Sequence, residues 1–245
     1  MKTTFSIITA VRNGLPELQR TCSSLLLQTR QDFEWIVIDA ASTDGTADWL
    51  SGLRIFQDRM HWVSECDQGI SDAWNKGISR ASGRQVLILN AGDTYDCDFI
   101  ERFSSKVNEH RVTCCHVRLQ TEDGRPLGVF RANPANLWRG MHIPHNWCSV
   151  PRAAYTQLGP YRLMPHSMDF EWFHRYYRKN GIDGFLVIDD ILGDYRMGGH
   201  SDVHFREGFA ANEIIMKNNG MSPWLAALIR CVYTVKHRLM KIKIR

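Results

Sequence analysis

Four short clusters of polar and acidic residues recur through the first hundred positions, each close behind an apolar run: Thr9–Asn13, Asp39–Thr46, Glu65–Asp72 and Asn90–Asp93. Together they offer carboxylates, amides and hydroxyls, and Lys76 adds an ammonium a little further on. Groups of this kind bind a polar, charged ligand through charge-assisted hydrogen bonds that also fix its orientation. One such cluster alone only makes a turn, because Asn, Asp and Gly punctuate loops wherever they fall. Four in order, behind four apolar runs, need a common geometrical cause. Far from them in sequence, His166-Ser-Met-Asp-Phe-Glu-Trp172 places Asp169 and Glu171 at the start of a helical stretch. A carboxylate there serves the helix dipole, or accepts a proton as a general base.

The elements that must position these residues follow from periodicity. Phe5–Val11 is a compact, β-branched apolar run and predicts a buried strand. Glu34–Asp39, Met60–Ser64 and Gln85–Leu89 predict three more, separated by helical stretches over Leu15–Gln28, Thr46–Phe56 and Ile70–Ala81. Apolar strands alternating with helices imply a parallel sheet covered on both faces. Parallel strands end on one edge, and ligands of such sheets bind beyond that edge. The four clusters therefore converge on a single crevice. Asp44 is expected to cap the second helix. Beyond Glu101 the rhythm changes: Val112–Gln120 and Leu127–Arg131 flank Glu122–Pro126 as a hairpin, Ser167–Asn180 and Phe205–Asn218 predict helices, and Phe185–Ile188 predicts a strand. The expected organisation is one domain over residues 1–220, with residues 1–100 as a nucleotide-type half and 101–220 as an acceptor-type half, followed by a tail over 221–245.

The same clusters resemble a known family. Over residues 3 to 203 the chain is similar to the family 2 glycosyltransferases of the GT-A fold, and within them to the exopolysaccharide (colanic-acid-type) group. Thr9-Ala-Val-Arg-Asn13 resembles the family's first nucleotide-binding turn, and Asp39-Ala-Ala-Ser-Thr-Asp-Gly-Thr46 its Asp-x-x-Ser-x-Asp-Gly-Thr signature. Ser64–Ile70, followed by Asp72, Asn75, Lys76 and Gly77, is similar to its third motif. The resemblance implies an α/β GT-A fold and an inverting transfer from a UDP- or GDP-sugar. Thr9, Val11, Asn13, Asp39, Asp67, Lys76, Asn90 and Ala91 would then line the donor site, with Asp39 on the nucleobase and Asp67 on the ribose. Lys76 either reaches the diphosphate or stands as a solvated helix lysine. Asn90-Ala-Gly-Asp93 occupies the place of the family's Asp-x-Asp metal motif, with Gly92 where a second Asp often stands. Asp93 is thus the main carboxylate for Mn2+ or Mg2+, whose hard charge suits carboxylate and diphosphate oxygens. Asp169 matches the family's base, with Glu171 its competitor. His145 and Trp147 fall on the acceptor side, and His200 either touches metal or diphosphate or is a hydrogen-bonded structural residue. Trp138 and Trp172 join Trp147 as faces for sugar stacking or as aromatic core.

Composition narrows the rest. Ser222–Arg245 holds six basic residues and no acidic one, so removing it takes the formal charge from +4 to −2. A general nucleic-acid surface is therefore not indicated. The tail's apolar residues, with Trp224 and Tyr233, suit a basic amphipathic helix lying in an anionic membrane interface, or else a helix docked on its own domain. Seven cysteines without C-x-x-C spacing argue against zinc and against a disulfide framework. No signal-peptide pattern and no apolar span of membrane length appears, which gives a cytoplasmic chain peripheral to the inner membrane face as the expectation. A pyrophosphorylase lacks its Gly-rich basic loop here, and a dehydrogenase its G-x-G-x-x-G. A catalytically dead membrane scaffold is disfavoured by Asp39, Asp67, Asp93 and Asp169 standing together.

Overall fold

The computed structural model describes residues 4–121 and 123–244, without the side chains of residues 57, 200, 201 and 241–244. The first half alternates as the periodicity predicts: β1 (Phe5–Val11), α1 (Leu15–Leu26), β2 (Phe33–Asp39), α2 (Thr46–Gly52), β3 (Met60–Ser64), α3 (Ile70–Arg80) and β4 (Gln85–Ile88). The second half contains β5 (Thr94–Tyr95), α4 (Phe99–Ser104), β6 (Val112–Gln120), β7 (Pro126–Phe130), β8 (Cys148–Pro151), α5 (Arg152–Leu158), α6 (Met168–Asn180) and β9 (Phe185–Arg196). Three helices close the chain: α7 (His200–Val203), α8 (Phe205–Asn218) and α9 (Pro223–Ile244).

All nine strands among the described residues join one sheet, in the order β3-β2-β1-β4-β8-β6-β9-β5, with β7 added against β6. β3, β2, β1 and β4 run parallel, so the four polar clusters emerge at one edge. β8 then runs antiparallel to β4 and to β6, which turns the sheet from its nucleotide-type half to a mixed half. Side chains along β1 alternate between two cores: Ile8 joins Ile36, Trp74 and Trp172 on one face, while Phe5 and Ile7 join Leu18, Phe99 and Trp147 on the other. This is the two-residue period of a strand buried on both faces. Gly77 lets α3 lie close on β1, since a Cβ there would sit 2.4 Å from Ile8 Cγ2.

Several boundaries differ from the periodicity. The second helix stops at Gly52, where Leu53 turns extended (φ −75°, ψ 121°), and does not continue to Phe56. The late strand extends from Phe185 to Arg196 instead of ending at Ile188. Its acidic residues find partners that local sequence does not reveal: Asp190 pairs with Arg102 and Lys106, and Asp194 with Arg118. The predicted hairpin forms as β6–β7, with a register shift at Leu119/Gln120. α9 packs along α8 with Ala226 fully buried against Phe170, Ile215 and Met216, so one face of the tail belongs to the domain. No described helix is long and apolar enough to cross a membrane.

One contact here controls the site. Gly193 in β9 lies flat against the ring of Trp147, and a Cβ at that position would come within 2.1 Å of Nε1 and 2.9 Å of Cε2. Trp147 directly follows Asn146, a site residue described below, and is fully buried. Gly193→Ala should therefore cost about 1–3 kcal/mol of stability, the scale of core overpacking. Denaturant unfolding measures it, and an unchanged midpoint would show that the ring can move aside.

Candidate active site

The first crevice wall is built where β1 and β2 end. Asn13 adopts a left-handed conformation (φ 48°). Its amide oxygen accepts from Thr43 N–H at 2.8 Å, and its own N–H donates to Ser42 Oγ at 2.7 Å. Asp44 accepts from Leu15 N–H at 2.9 Å and from Thr46 Oγ1 at 2.6 Å and N–H at 3.2 Å. It thus serves the first turns of α1 and α2 together, one position before the cap residue Gly45. The Thr46 hydroxyl and then Leu15 N–H hold its pKa below the ordinary value. Asp39 is fully buried, with its oxygens accepting from Ser42 N–H at 3.1 Å, Ser42 Oγ and Ser64 Oγ at 2.6 Å. Thr9 and Val11 lie inside: Thr9 Oγ1 accepts from Trp35 Nε1 at 2.9 Å, and Val11 O from Ala40 N–H at 2.9 Å.

At the end of β3, Asp67 accepts from Gly69 N–H at 2.9 Å and stays partly exposed. Lys76 donates to Cys66 O at 2.8 Å and lies 3.2 Å from Glu65 and 3.3 Å from Asp72. Its ammonium is therefore committed to the third cluster itself, between two carboxylates.

The fourth cluster is held from two sides. Thr21, fully buried in α1, accepts from Gly92 N–H at 2.9 Å and donates to Asp93 O at 3.0 Å, with Asn90 O at 3.4 Å. Gly92 also donates to Glu17 O at 3.1 Å and has φ +98°, where a side chain would be strained. The departure from Asp at this position thus matches the backbone turn. From the other side, a relay of amides ends on Asp93. Trp74 Nε1 donates to Asn90 Oδ1 at 3.2 Å, Asn90 Nδ2 to Asn146 Oδ1 at 3.2 Å, and Asn146 Nδ2 to Asp93 Oδ2. Asn146 was not singled out by the sequence; its only signal was its place between His145 and Trp147. Burial pushes the Asp93 carboxyl up to about 7, against the Asn146 hydrogen bond, which lowers it.

The second half contributes Asp169 and Glu171 from the first turn of α6, which follows the left-handed Ser167 (φ 60°). They have opposite environments. Glu171 is buried and lies 2.8 Å from Arg175 and 3.3 Å from Arg162. Asp169 is only partly buried, accepts from Phe170 N–H at 2.8 Å, and has no ion pair among the described residues. β5 and β9 pair Thr94 with Asp194 and Tyr95 with Gly193, so Asp93 and Tyr195 each stand one residue past the end of the ladder. Burial raises the Tyr195 phenol to about 12, and the charges of Asp93, Asp202 and Asp169 add to the shift. Asp93, from the first half of the chain, and Asp169, from the second, are thus both near enough to Tyr195 for their charges to act on it.

His145 and Trp147 are both interior. His145 is buried among Trp74, Tyr161 and Phe173, with Nε2 3.0 Å from Tyr161 Oη. Burial depresses its pKa to about 4, although the Asp169 charge acts the other way. Trp147 and Trp172 are fully buried, while Trp138 is 41% exposed. Of the three candidate stacking rings only Trp138 presents a face. His200 opens α7, and its side chain lies outside the described residues.

Among the described residues no three His, Cys, Asp or Glu side chains gather as a metal cage. What they do fit is a cation shared with a ligand. A half-buried carboxylate whose side-chain partner is one neutral amide is poorly compensated, and Mg2+-type sites use one or two carboxylates with substrate phosphates for the remainder.

Comparison with known proteins bears on the family and the fold. The chain matches the family model "Glycosyl transferase family 2" over residues 6–183. It is 30% identical over 167 residues to a PGL/p-HBAD biosynthesis glycosyltransferase of Mycobacterium bovis, a match covering 65% of this chain and 63% of that protein. It is 33% identical over 135 residues to the putative teichuronic acid biosynthesis glycosyltransferase TuaG of Bacillus subtilis, covering 54% of each. The chain thus spans less than two thirds of these relatives' length. Among solved structures, S. aureus TarS 1-349 in complex with UDP-GlcNAc superposes with a TM-score of 0.69 at 17% identity, over 96% of this chain and 72% of that one. The mannosyltransferase PcManGT of Pyrobaculum calidifontis, in complex with GDP-Man and Mn2+, does so at 0.65 and 16% identity, over 92% and 67%. These two similarities establish the GT-A fold.

The raised pKa of Asp93 has a pH signature. An acid whose folded pKa lies above its unfolded one contributes stability that is complete below the unfolded value, near 4, and is lost as pH rises through about 7. Asp93→Asn removes that loss. In the absence of divalent cation it should raise Tm at pH 8, by the equivalent of a few kcal/mol at most, and have little effect at pH 4. A shift of equal size at both pH values, read by calorimetry, would contradict the assignment.

Proposed function

The chain belongs to glycosyl transferase family 2, and on that premise we propose that it moves a sugar from a UDP- or GDP-sugar to a lipid-linked glycan, inverting the anomeric centre, in surface-polysaccharide synthesis. The observation that carries this reading is the gathering of the four polar clusters at one edge of the parallel strands, with Asp93 held there by Asn146 from the second half of the chain. Two relatives are named for PGL/p-HBAD biosynthesis and, as putative, for teichuronic acid biosynthesis, which supports the polysaccharide setting.

In this reading the nucleotide lies along the strand ends, with its base beside the Asp39 turn and its ribose toward the open oxygen of Asp67. Asn13 and Asp44 lock that wall to α1 and α2. Lys76 holds the third loop in shape through Cys66, Glu65 and Asp72. Asp93 would hold a divalent cation, Mn2+ or Mg2+, which when bound neutralises charge on the leaving diphosphate. Asp169 takes the proton of the acceptor hydroxyl as that oxygen bonds to the anomeric carbon and the nucleoside diphosphate departs from the opposite face. Glu171 is the poorer base because its charge is spent on Arg162 and Arg175.

The membrane part of the proposal rests on α9. At about 100° per residue, Trp224, Leu228, Val232, Val235 and Leu239 form one stripe, and all five are exposed. Ala226, Ile229, Tyr233 and His237 fall on the opposite face, turned to the domain. Lys236 and Arg238 flank the stripe. An apolar stripe between basic flanks fits the interface of an anionic bilayer, on the cytoplasmic side where lipid-linked acceptors would be met.

Two outcomes are expected. A thermal-shift panel of nucleotide sugars, with and without Mn2+, identifies the donor; with it, Asp169→Asn should lower kcat by about 100-fold or more and leave donor affinity near wild type. Glu171→Gln should instead lower Tm, because two arginines lose a buried partner, with kcat nearly preserved. The reverse pattern would move the base to Glu171. Second, the protein should float with phosphatidylglycerol vesicles and be released only in part by high salt, since salt screens the charges but not the burial. Leu228→Glu with Val235→Glu should abolish flotation; wild type remaining in solution would remove the membrane part of the proposal.

A further inference from the structure

An anchoring helix needs only its outer face, yet the inner face of α9 carries two polar grips one helical turn apart. Tyr233 Oη lies 2.7 Å from His142 Nε2. His237 Nε2 lies 2.9 Å from Asp202 Oδ1, and Asp202 Oδ2 accepts from Gly198 N–H at 3.1 Å. Each grip lands on a segment that leads into the crevice. His142 stands four residues before Asn146, whose amide holds Asp93. The Gly198–Asp202 segment continues from Tyr195, which directly follows Asp194, the ladder partner of Thr94 beside Asp93.

The apolar contacts of Ala226 and Ile229 with α6 and α8 already seat α9 on the domain. A hydroxyl and an imidazole add no seating that an apolar residue would not, and both cost desolvation unless they are paired. What a hydrogen bond at Tyr233 and a close ion-pair contact at His237 add is position. Spaced by four residues, Tyr233 and His237 project from the same face of the helix, and one rigid rod fixes both loops relative to each other.

We infer that Tyr233 and His237 are positioning residues of the transferase site, acting through His142 on the Asn146–Asp93 side and through Asp202 on the Tyr195 side. The helix that presents a stripe toward lipid on one face is then part of the site's frame on the other. The inference rests on the transferase reading for its kinetic consequence, but not for its structural one.

The test uses the full chain with Tyr233→Phe and His237→Phe, singly and together. Phenylalanine keeps the ring of Tyr233 against Phe209, and keeps a ring where His237 stacks on Phe205 at 4.1 Å. Amide hydrogen exchange should rise in residues 140–147 for Tyr233→Phe alone, in 197–203 for His237→Phe alone, and in both for the pair, with α8 and α9 still protected. With the donor found by thermal shift and a soluble acceptor analogue, the pair should lose at least tenfold in kcat with donor KM within about twofold. Unchanged exchange in both segments would overturn the inference, as would increased exchange spread along α8 and α9, which marks a docking contact only. Local exchange changes with kcat intact would overturn the positioning role. If wild type transfers no sugar at all, the transferase reading fails, and the exchange pattern still decides whether the helix fixes the loops.

Discussion

The site depends on a line of amides. Trp74, Asn90 and Asn146 pass donors and acceptors along in one direction and finish on Asp93. The line starts in α3, crosses the end of β4, enters the loop before β8 and ends on the fourth polar cluster, so it joins the two halves of the chain at the crevice. A neutral hydrogen bond contributes only about 1 kcal/mol net. The larger consequence is directional, since each amide has one orientation that satisfies both neighbours. Asn146 must turn its NH2 to Asp93 Oδ2. That ties Asp93 Oδ2 to the second half of the chain.

Around that line the fold separates groups that bind from groups that brace. Two carboxylates two residues apart in α6 have different fates, because one is buried between arginines and the other stands at the crevice with only its neighbour's N–H. Lys76 shows the same distinction among cations, with its ammonium between Glu65 and Asp72. Thr21 and Gly92 complete the support of Asp93: the hydroxyl of a buried helix residue closes a turn that only glycine enters without strain. The glycine before Asp93 is thus tied to the turn that presents that carboxylate.

Much of this was legible in the sequence. The first four strands, their parallel order and the convergence of their polar ends follow from apolar runs punctuated by Asp, Asn and Gly, because those signals are local. The second half was less legible. β5, α4, β8 and α5 are short, and their pairing depends on distant partners. β9 runs on through Asp189 and Asp190 because cations from α4 and histidine or arginine from β6 and its neighbours answer the charge. Thr9 and Trp147 have residue types suited to binding, but burial gives them interior work. Thr21 and Asn146 carried no pattern at all, because their importance comes from who stands opposite in space.

The claim most exposed to measurement is that the amide-held Asp93 is where a donor's cation binds. Nuclear magnetic resonance with Mn2+ and either UDP or GDP reads this directly through paramagnetic broadening. Signals of Asp93, the Asn146 side-chain amide and Tyr195 should broaden first, with Asp169 next and β3's far edge untouched. Broadening that spares Asp93 and Asn146 and appears at another acidic cluster would contradict the account.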